Sequence, residues 1–181
     1  MNNSLWNDQQ ADKKILVKTE FYEIQKGNNI VRFVSDPYKA KKYNIDNKHW
    51  INVSKDTKLN LTTSLPVKEQ IHFYAAVLDR SDDTIKVLDF GQLIYTGIQA
   101  LVNDADWGDP IGYDINIIKN PDGGASTYYR VAPKPRRPLS ASELLAVDEF
   151  DMKYLERLAN PDKEYMDKQI AKLPFEAVVL A

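Results

Sequence analysis

The chain lacks several residue types on which whole classes of protein depend. Among its 181 residues there is no cysteine, which excludes disulfide bonds and thiolate metal sites. Its two histidines, His49 and His72, would need carboxylates to complete a zinc site, so we expect no metal and no cofactor. No apolar run approaches the roughly 18 residues of a membrane span, and residues 1–10 carry neither the basic nor the apolar region of a signal peptide. The composition therefore predicts a soluble, cytoplasmic protein.

Sequence motifs that mark enzymes are also missing. There is no Gly-rich phosphate-binding motif and no serine in a nucleophile-elbow context. Acidic residues gather between Asp104 and Asp114, but a calcium loop starting at Asp104 would place Asp109 where glycine is needed and Ile115 where glutamate is needed. We expect turn and strand-end roles for these acids and no catalysis; a metal-dependent nuclease is the enzymatic alternative.

Charge is distributed unevenly along a chain whose net charge is only −2. Residues 13–55 hold ten basic residues against four acidic ones, and residues 119–137 hold five against Asp122 alone. Several aromatic residues lie inside these basic stretches: Tyr38, Tyr43, Trp50, Tyr128 and Tyr129. Bases present π-faces and phosphates present charge, so this mixture is typical of single-strand binding surfaces. Ordinary solvated surface charge is the alternative.

Hydrophobic periodicity predicts a mainly β chain that ends in helices. Alternating β-branched and aromatic residues predict strands over 30–34, 70–79, 84–90, 111–119 and 126–132, and helical spacing predicts a helix over 91–103. Residues 15–26 fit a strand or a short helix, and residues 27–29 a turn. Residues 37–63 are interpreted as a long polar loop, and 133–138 as an irregular segment that ends the barrel. Ser140 and Glu143 form a capping box for the first of three C-terminal helices.

Three strands, a helix and two strands is the element order of an OB fold. We therefore predict a mainly β (α+β) protein, a five-stranded OB-fold barrel with a helix between strands 3 and 4 and a C-terminal helical extension. The predicted divisions are an N-terminal arm (1–18), the OB domain (19–133), a Pro/Arg linker (134–139) and the helical extension (140–181). In OB folds the face of strands 2 and 3 and the loops 1–2 and 4–5 bind oligonucleotides. Here those loops would be residues 37–63 and 120–125, at the two basic stretches.

Short motifs also occur in a characteristic order between residues 24 and 133. They are Gln25–Ser35, Asp79-Arg80, Phe90-Gly91-Gln92, Asp106–Pro110, Tyr113-Asp114-Ile115, Gly123-Gly124 and Thr127–Pro133. Their order and spacing resemble the single-stranded DNA-binding proteins of tailed phages, which are OB-fold, helix-destabilising proteins. Some of these relatives have a cysteine-dependent zinc insert that this chain lacks. Many end in a strongly acidic tail, whereas residues 172–181 here contain Glu176 as their only acid.

The resemblance implies sequence-nonspecific binding of single-stranded DNA in phage replication, recombination or repair, without catalysis. It implies phage replication or recombination proteins as further partners, self-association on DNA, and the cytoplasm of the infected host as location. A protein-interaction or structural β-barrel of a virion is the alternative function. The residues expected to bind DNA are Arg32, Tyr38, Lys39, Lys41, Lys42, Tyr43, Lys48, Trp50, Tyr74, Lys86, Lys119, Tyr128 and Arg130.

Overall fold

The computed structural model describes residues 20–61, 63–175 and 177–180, and the described chain is mainly β, as predicted. Its strands are β1 (Gly27–Phe33), β2 (Tyr38–Ile45), β3 (His49–Val53), β4 (Lys58–Leu61), β5 (Val67–Asp79), β6 (Thr84–Gly91), β7 (Tyr113–Lys119), β8 (Tyr129–Arg136) and β9 (Ala177–Leu180). Its helices are α1 (Gln92–Val102), α2 (Ala141–Glu149), α3 (Met152–Ala159) and α4 (Lys163–Ile170). The described helices do not include one long and apolar enough to cross a membrane.

Seven of the strands form one antiparallel sheet. The path is β3-β2-β5-β1-β7-β8, and β6 pairs with β5 along its other edge. Both β1 and β2 pair with the same edge of the long strand β5, through Phe33 opposite Val77 and Tyr38 opposite Tyr74, so they act as two parts of one bent strand. In the described part of the chain, β6 and β8 share no ladder, and the sheet is barrel-like but not closed.

The segment 37–63, which we interpreted as a loop, instead contains three strands. Strands β2 and β3 form a hairpin in which Lys42 lies opposite Asn52. Asp46 and Asn47 take left-handed backbone angles at its tip, with φ of 53° and 55°, as a primed hairpin turn requires. Strand β4 pairs separately with β9. The loop prediction was wrong because both faces of β2 carry mostly polar residues, so the strand shows no alternation of apolar and polar side chains.

Two segment boundaries also differ from the prediction. Residues 27–29 belong to β1 rather than to a turn. Glu20–Tyr22 run alongside β6, where the Tyr22 N–H donates to the Val87 carbonyl and the Val87 N–H donates to the Glu20 carbonyl. Strand β8 continues through Pro133 and Pro135, into the segment expected to be irregular. Proline is tolerated there because β8 pairs only with β7 among the described strands, so the free edge needs no N–H donor. The predicted N-terminal arm, residues 1–18, lies outside the described residues.

The main core lies between the sheet and α1, where the predicted helix is confirmed. Phe33, Phe73, Phe90, Ile94 and Ile115 are among its buried residues. Gly97 allows α1 to approach β8 closely, since a Cβ there would lie 2.7 Å from a methyl carbon of Val131. The helix therefore packs on one face of the sheet and leaves the other to α3, while Met166 of α4 packs on Ile45, Ile51 and Val53 of the β2–β3 hairpin.

The opposite face of β2, β5 and β6 is covered by α3. Leu155 and Leu158 pack there on Ala40, Tyr74, Ala76 and Val87. Asn52 fixes the helices to the sheet: its side-chain amide donates to the Leu158 carbonyl at 3.2 Å, and its backbone exchanges two hydrogen bonds with Gln169, each 3.0 Å. Helices α3 and α4 are thus integral parts of the fold.

Candidate nucleic-acid interface

A row of rings and one ammonium group crosses the sheet on its α3 side. The Lys42 Nζ lies 5.0 Å from the ring centre of Trp50 and 5.5 Å from that of Tyr74. Beyond Tyr74, at 6.4 Å between ring centres, lies Phe21, and Trp50 also contacts His72 at 5.1 Å. We call these five residues, Phe21, His72, Tyr74, Lys42 and Trp50, the aromatic–cation strip.

Strand register brings the strip together from distant parts of the sequence. Directly paired residues of neighbouring antiparallel strands place their side chains on the same face. Trp50 pairs with Asn44, Asn44 with Lys68, and Lys42 with Gln70, so these side chains share the face of Tyr74 and His72. Phe21 joins from beyond β6, where it forms a bridge with Val87.

Asp89 anchors the centre of the strip. One carboxylate oxygen bonds His72 Nδ1 at 2.7 Å and the other accepts from Lys42 Nζ at 2.5 Å. Burial by itself would raise the pKa of Asp89, but the hydrogen bond with His72 and the Lys42 ammonium outweigh it and hold the pKa below its ordinary value. The carboxylate therefore stays ionised and fixes both partners in the strip.

The ends of the strip are exposed, whereas its middle is covered. Phe21 is 50% exposed and Trp50 is 41% exposed, but Tyr74 is only 2% exposed. The Tyr74 hydroxyl donates to Asn52 Oδ1 at 3.0 Å, and burial raises the pKa of this phenol well above its ordinary value. Two separated aromatic faces are thus available to flat ligands, with the exposed Lys68 on the same side of the sheet.

Sequence reasoning found part of this surface. Lys42, Trp50 and Tyr74 were expected to bind DNA and all belong to the strip, although Tyr74 and Lys42 are buried. It missed Phe21, whose segment gave no clear pattern, and it did not include His72 among the residues expected to bind DNA. Asp89 and Lys68 were missed as well, because only the strand register shows that they adjoin the strip.

Two of the expected residues are used inside the fold. Arg32 is 1% exposed, and its guanidinium bonds Asp114 at 2.8 Å and the carbonyls of Ile111 and Arg137. Lys86 donates to Asp79 at 2.7 Å and to Asp82 at 2.5 Å, which raises the pKa of the lysine. Their charges are neutralised by these partners, and we leave both residues out of the interface.

Three more expected residues point to the other face of β2. The Lys41 ammonium donates to the Thr57 carbonyl at 2.8 Å, and the Tyr43 hydroxyl donates to Glu69 at 2.9 Å. Burial, followed by the hydrogen bond with Glu69, raises the pKa of Tyr43. Lys39 is exposed on this same side. The strand alternation therefore separates Lys39, Lys41 and Tyr43 from Trp50.

The remaining expected residues lie at the margins of the two faces. Tyr38 is half-buried beside α3, and Lys48, in the β2–β3 turn, is exposed and 3.3 Å from Asp46. Lys119 donates to the Ile24 carbonyl at 3.1 Å. Arg130 is exposed on β8, and Tyr128 borders a small cavity of about 290 Å³ at the start of α1. The β7–β8 loop therefore meets the sheet at Gly91, the β6 residue that pairs with His72 of the strip.

The acidic segment 104–114 makes internal contacts. Asp104 accepts from the backbone N–H of Asp106, and Asp109 from that of Ile111, in each case as a local turn. Asp114 binds Arg32 and Arg80, each at 2.8 Å. Within the described residues no three His, Asp or Glu side chains are grouped so that they could hold a metal ion.

A curated phage protein is similar to part of this chain. Over 64 residues the chain is 33% identical to the "Probable ssDNA-binding protein" of Escherichia phage T5. The match covers 35% of this chain and spans about a quarter, 25%, of the phage protein. No family model and no solved structure matches the chain. The matched segment of 64 residues is therefore shorter than the part of the chain, residues 27–136, that forms the seven-stranded sheet.

Proposed function

We propose that the protein binds single-stranded DNA without sequence preference, on the aromatic–cation strip. The observation that carries this proposal is the pair of exposed rings, Phe21 and Trp50, on the face that also holds the exposed Lys68. Every base has a π-face, so stacking on such rings binds single strands whatever their sequence. The partial similarity to the phage T5 protein supports the same class of ligand.

The sheet order supports an OB-type barrel as the scaffold. If β1 and β2 together count as the first strand, the path β6-β5-β1-β7-β8 gives the order 3-2-1-4-5, and α1 lies between strands 3 and 4. The strip then lies on strands 1 to 3, the face that OB folds use for oligonucleotides. The loop between strands 1 and 2 becomes the β3 hairpin, which contributes Trp50.

In this proposal the protein protects and organises single strands during phage DNA replication, recombination or repair in the cytoplasm of the host. It has no catalytic step of its own. Phage replication or recombination proteins are its further partners. The internal pairing of Asp104, Asp109 and Asp114 makes a nuclease built on these acids the weaker alternative.

The proposal predicts that loss of either exposed ring weakens binding. Stacking is worth about 1–3 kcal/mol per base, so Phe21→Ala and Trp50→Ala should each raise the Kd roughly 5- to 150-fold. Trp50→Phe should keep most of the affinity because it keeps a ring. The measurement is fluorescence anisotropy of a labelled oligo-dT of about 16 nucleotides, with a matched duplex beside it.

Val102→Ala is the matched control, since Val102 is an exposed apolar side chain at the end of α1, away from the strip. It should bind like the wild type. If both ring variants also bind like the wild type, the interface is elsewhere. If the wild-type protein itself does not bind oligo-dT at low salt, or cleaves it in the presence of Mg²⁺, the proposed function is wrong.

A further inference from the structure

A cleft beside α2 has aliphatic walls and an arginine rim. It has a volume of about 480 Å³ and lies between the turn 110–112, the end of β8 and the start of α2. Ile111, Leu139 and Leu144 form its apolar lining, together with Arg136 and Arg137. Arg137 is paired with Asp114 and Glu143, whereas Arg136 donates to the Trp107 carbonyl. Aliphatic walls offer no ring for a base to stack on, so the cleft suits an apolar protein side chain flanked by carboxylates.

Helix α2, which forms one wall, is held firmly although none of its residues is buried. Glu143 closes the capping box with Ser140 and also pairs with Arg80 and Arg137. The ion pairs and the cap fix the orientation of the helix on the barrel. The outward-facing side chains of α2 are therefore presented in a defined arrangement.

Those outward-facing side chains combine leucine with acid. Leu144 is 51% exposed and Leu145 is 64% exposed. Residues four positions apart share a helix face, so Asp148 follows Leu144 and Glu149 follows Leu145. No basic residue lies between Ser140 and Met152. The helix thus carries the apolar and acidic groups that the arginine-rimmed cleft is suited to receive.

We propose that two copies of this chain associate through α2 and the arginine-rimmed cleft, about a two-fold axis. A two-fold interface requires a self-complementary surface, and here each copy carries both the acidic helix and the arginines. If the two α2 helices cross antiparallel at their leucines, the acidic C-terminal half of each faces the partner's N-terminal side. Arg136 lies just before that N-terminal side and, among the described residues, donates to the Trp107 carbonyl and forms no ion pair. The contact is separate from the strip and does not depend on DNA.

The test is sedimentation velocity of the full chain without DNA over a range of concentrations. The wild type should shift from monomer to twice the monomer mass, and Leu145→Asp should remain monomeric. Arg136→Glu and Glu149→Arg should each weaken association about tenfold or more, and the double variant should recover most of that loss. Circular dichroism of each variant checks that it is folded.

A wild type that stays monomeric up to about 100 μM overturns the proposal, which requires self-association with a Kd below that concentration. A dimer that Leu145→Asp and the charge reversals leave unchanged also overturns it, because the contact would then involve another surface. Trp50→Ala should dimerise like the wild type. This control separates a failure of the dimer from a failure of DNA binding.

Discussion

At the scale of single residues, Asp89 holds the strip in place. It is the shared partner of Lys42 and His72, and both of those groups are largely buried. The variant Asp89→Asn would leave the Lys42 ammonium without its counter-charge. Removing one partner of a buried pair is strongly destabilising, and we expect a loss of about 3 kcal/mol at neutral pH. Urea unfolding at pH 7 measures this change in the free energy of unfolding.

The same variant should change how stability depends on pH. Because the pKa of Asp89 in the folded protein lies below its ordinary value, its contribution is complete above about pH 4 and is lost as pH falls through the folded-state pKa. The difference in stability between wild type and Asp89→Asn should therefore shrink under acid. Asp56→Asn, at an exposed acid, is the control and should track the wild type. A constant difference between pH 7 and pH 3 would contradict the assignment.

Residue chemistry explains why only part of the strip could be predicted from the sequence. Trp50 stood out because a tryptophan in a polar, basic stretch has no obvious role in a core. Lys42 gave no sign that it would be buried, because its partner Asp89 lies 47 positions away. Arg32 looked like a surface cation for the same reason, since its ion pair with Asp114 spans 82 positions. Long-range pairing of charges is invisible to a local pattern.

At the scale of elements, strands with an apolar face were predictable, whereas polar strands were not. Strands β5 and β6 and helix α1 have clear apolar periodicity and agree with the prediction to within a few residues. Strand β2 lacks that periodicity because its buried positions include Lys42 and Asn44. Strand β8 was cut short in the prediction because its prolines were taken as breakers, although an edge strand accepts them.

Helix α3 should contribute to global stability rather than act as a detachable cover. Leu155 is fully buried against the sheet, and truncation of a buried leucine costs about 2–5 kcal/mol through lost burial and the cavity left behind. We therefore expect Leu155→Ala to lower the urea midpoint in a single cooperative transition. Leu65→Ala removes the same atoms from an exposed position and should change stability by less than about 0.5 kcal/mol.

Equal effects of these two leucine variants would mean that α3 is not packed on the sheet as described. A separate early transition in Leu155→Ala would mean that the helix layer unfolds on its own. In either case α3 would not cover the middle of the strip permanently, and Tyr74 would be accessible to a ligand. A single transition instead implies that DNA contacts only the exposed ends of the strip.

At the scale of the whole molecule, a net charge of −2 must be reconciled with binding to a polyanion. Many of the cations are used in internal pairs, as Arg32, Lys42 and Lys86 are. Acidic residues concentrate elsewhere, including α2, which holds Glu143, Asp148 and Glu149 and no basic residue. The field that DNA meets therefore depends on a few local groups rather than on the net charge.

A modest salt dependence should follow from this small number of available cations. If about five phosphates are neutralised, the slope of log K against log salt should be near −3.5, and affinity should fall about a hundredfold between 50 and 200 mM salt. Lys68→Gln removes a cation beside the strip and should make the slope shallower by about 0.7. Lys163→Gln, on α4, removes a cation already paired with Asp167 and should leave the slope unchanged. A slope near zero would mean that the basic groups on this face do not contact phosphate, and equal effects of the two variants would mean that Lys68 has no special position.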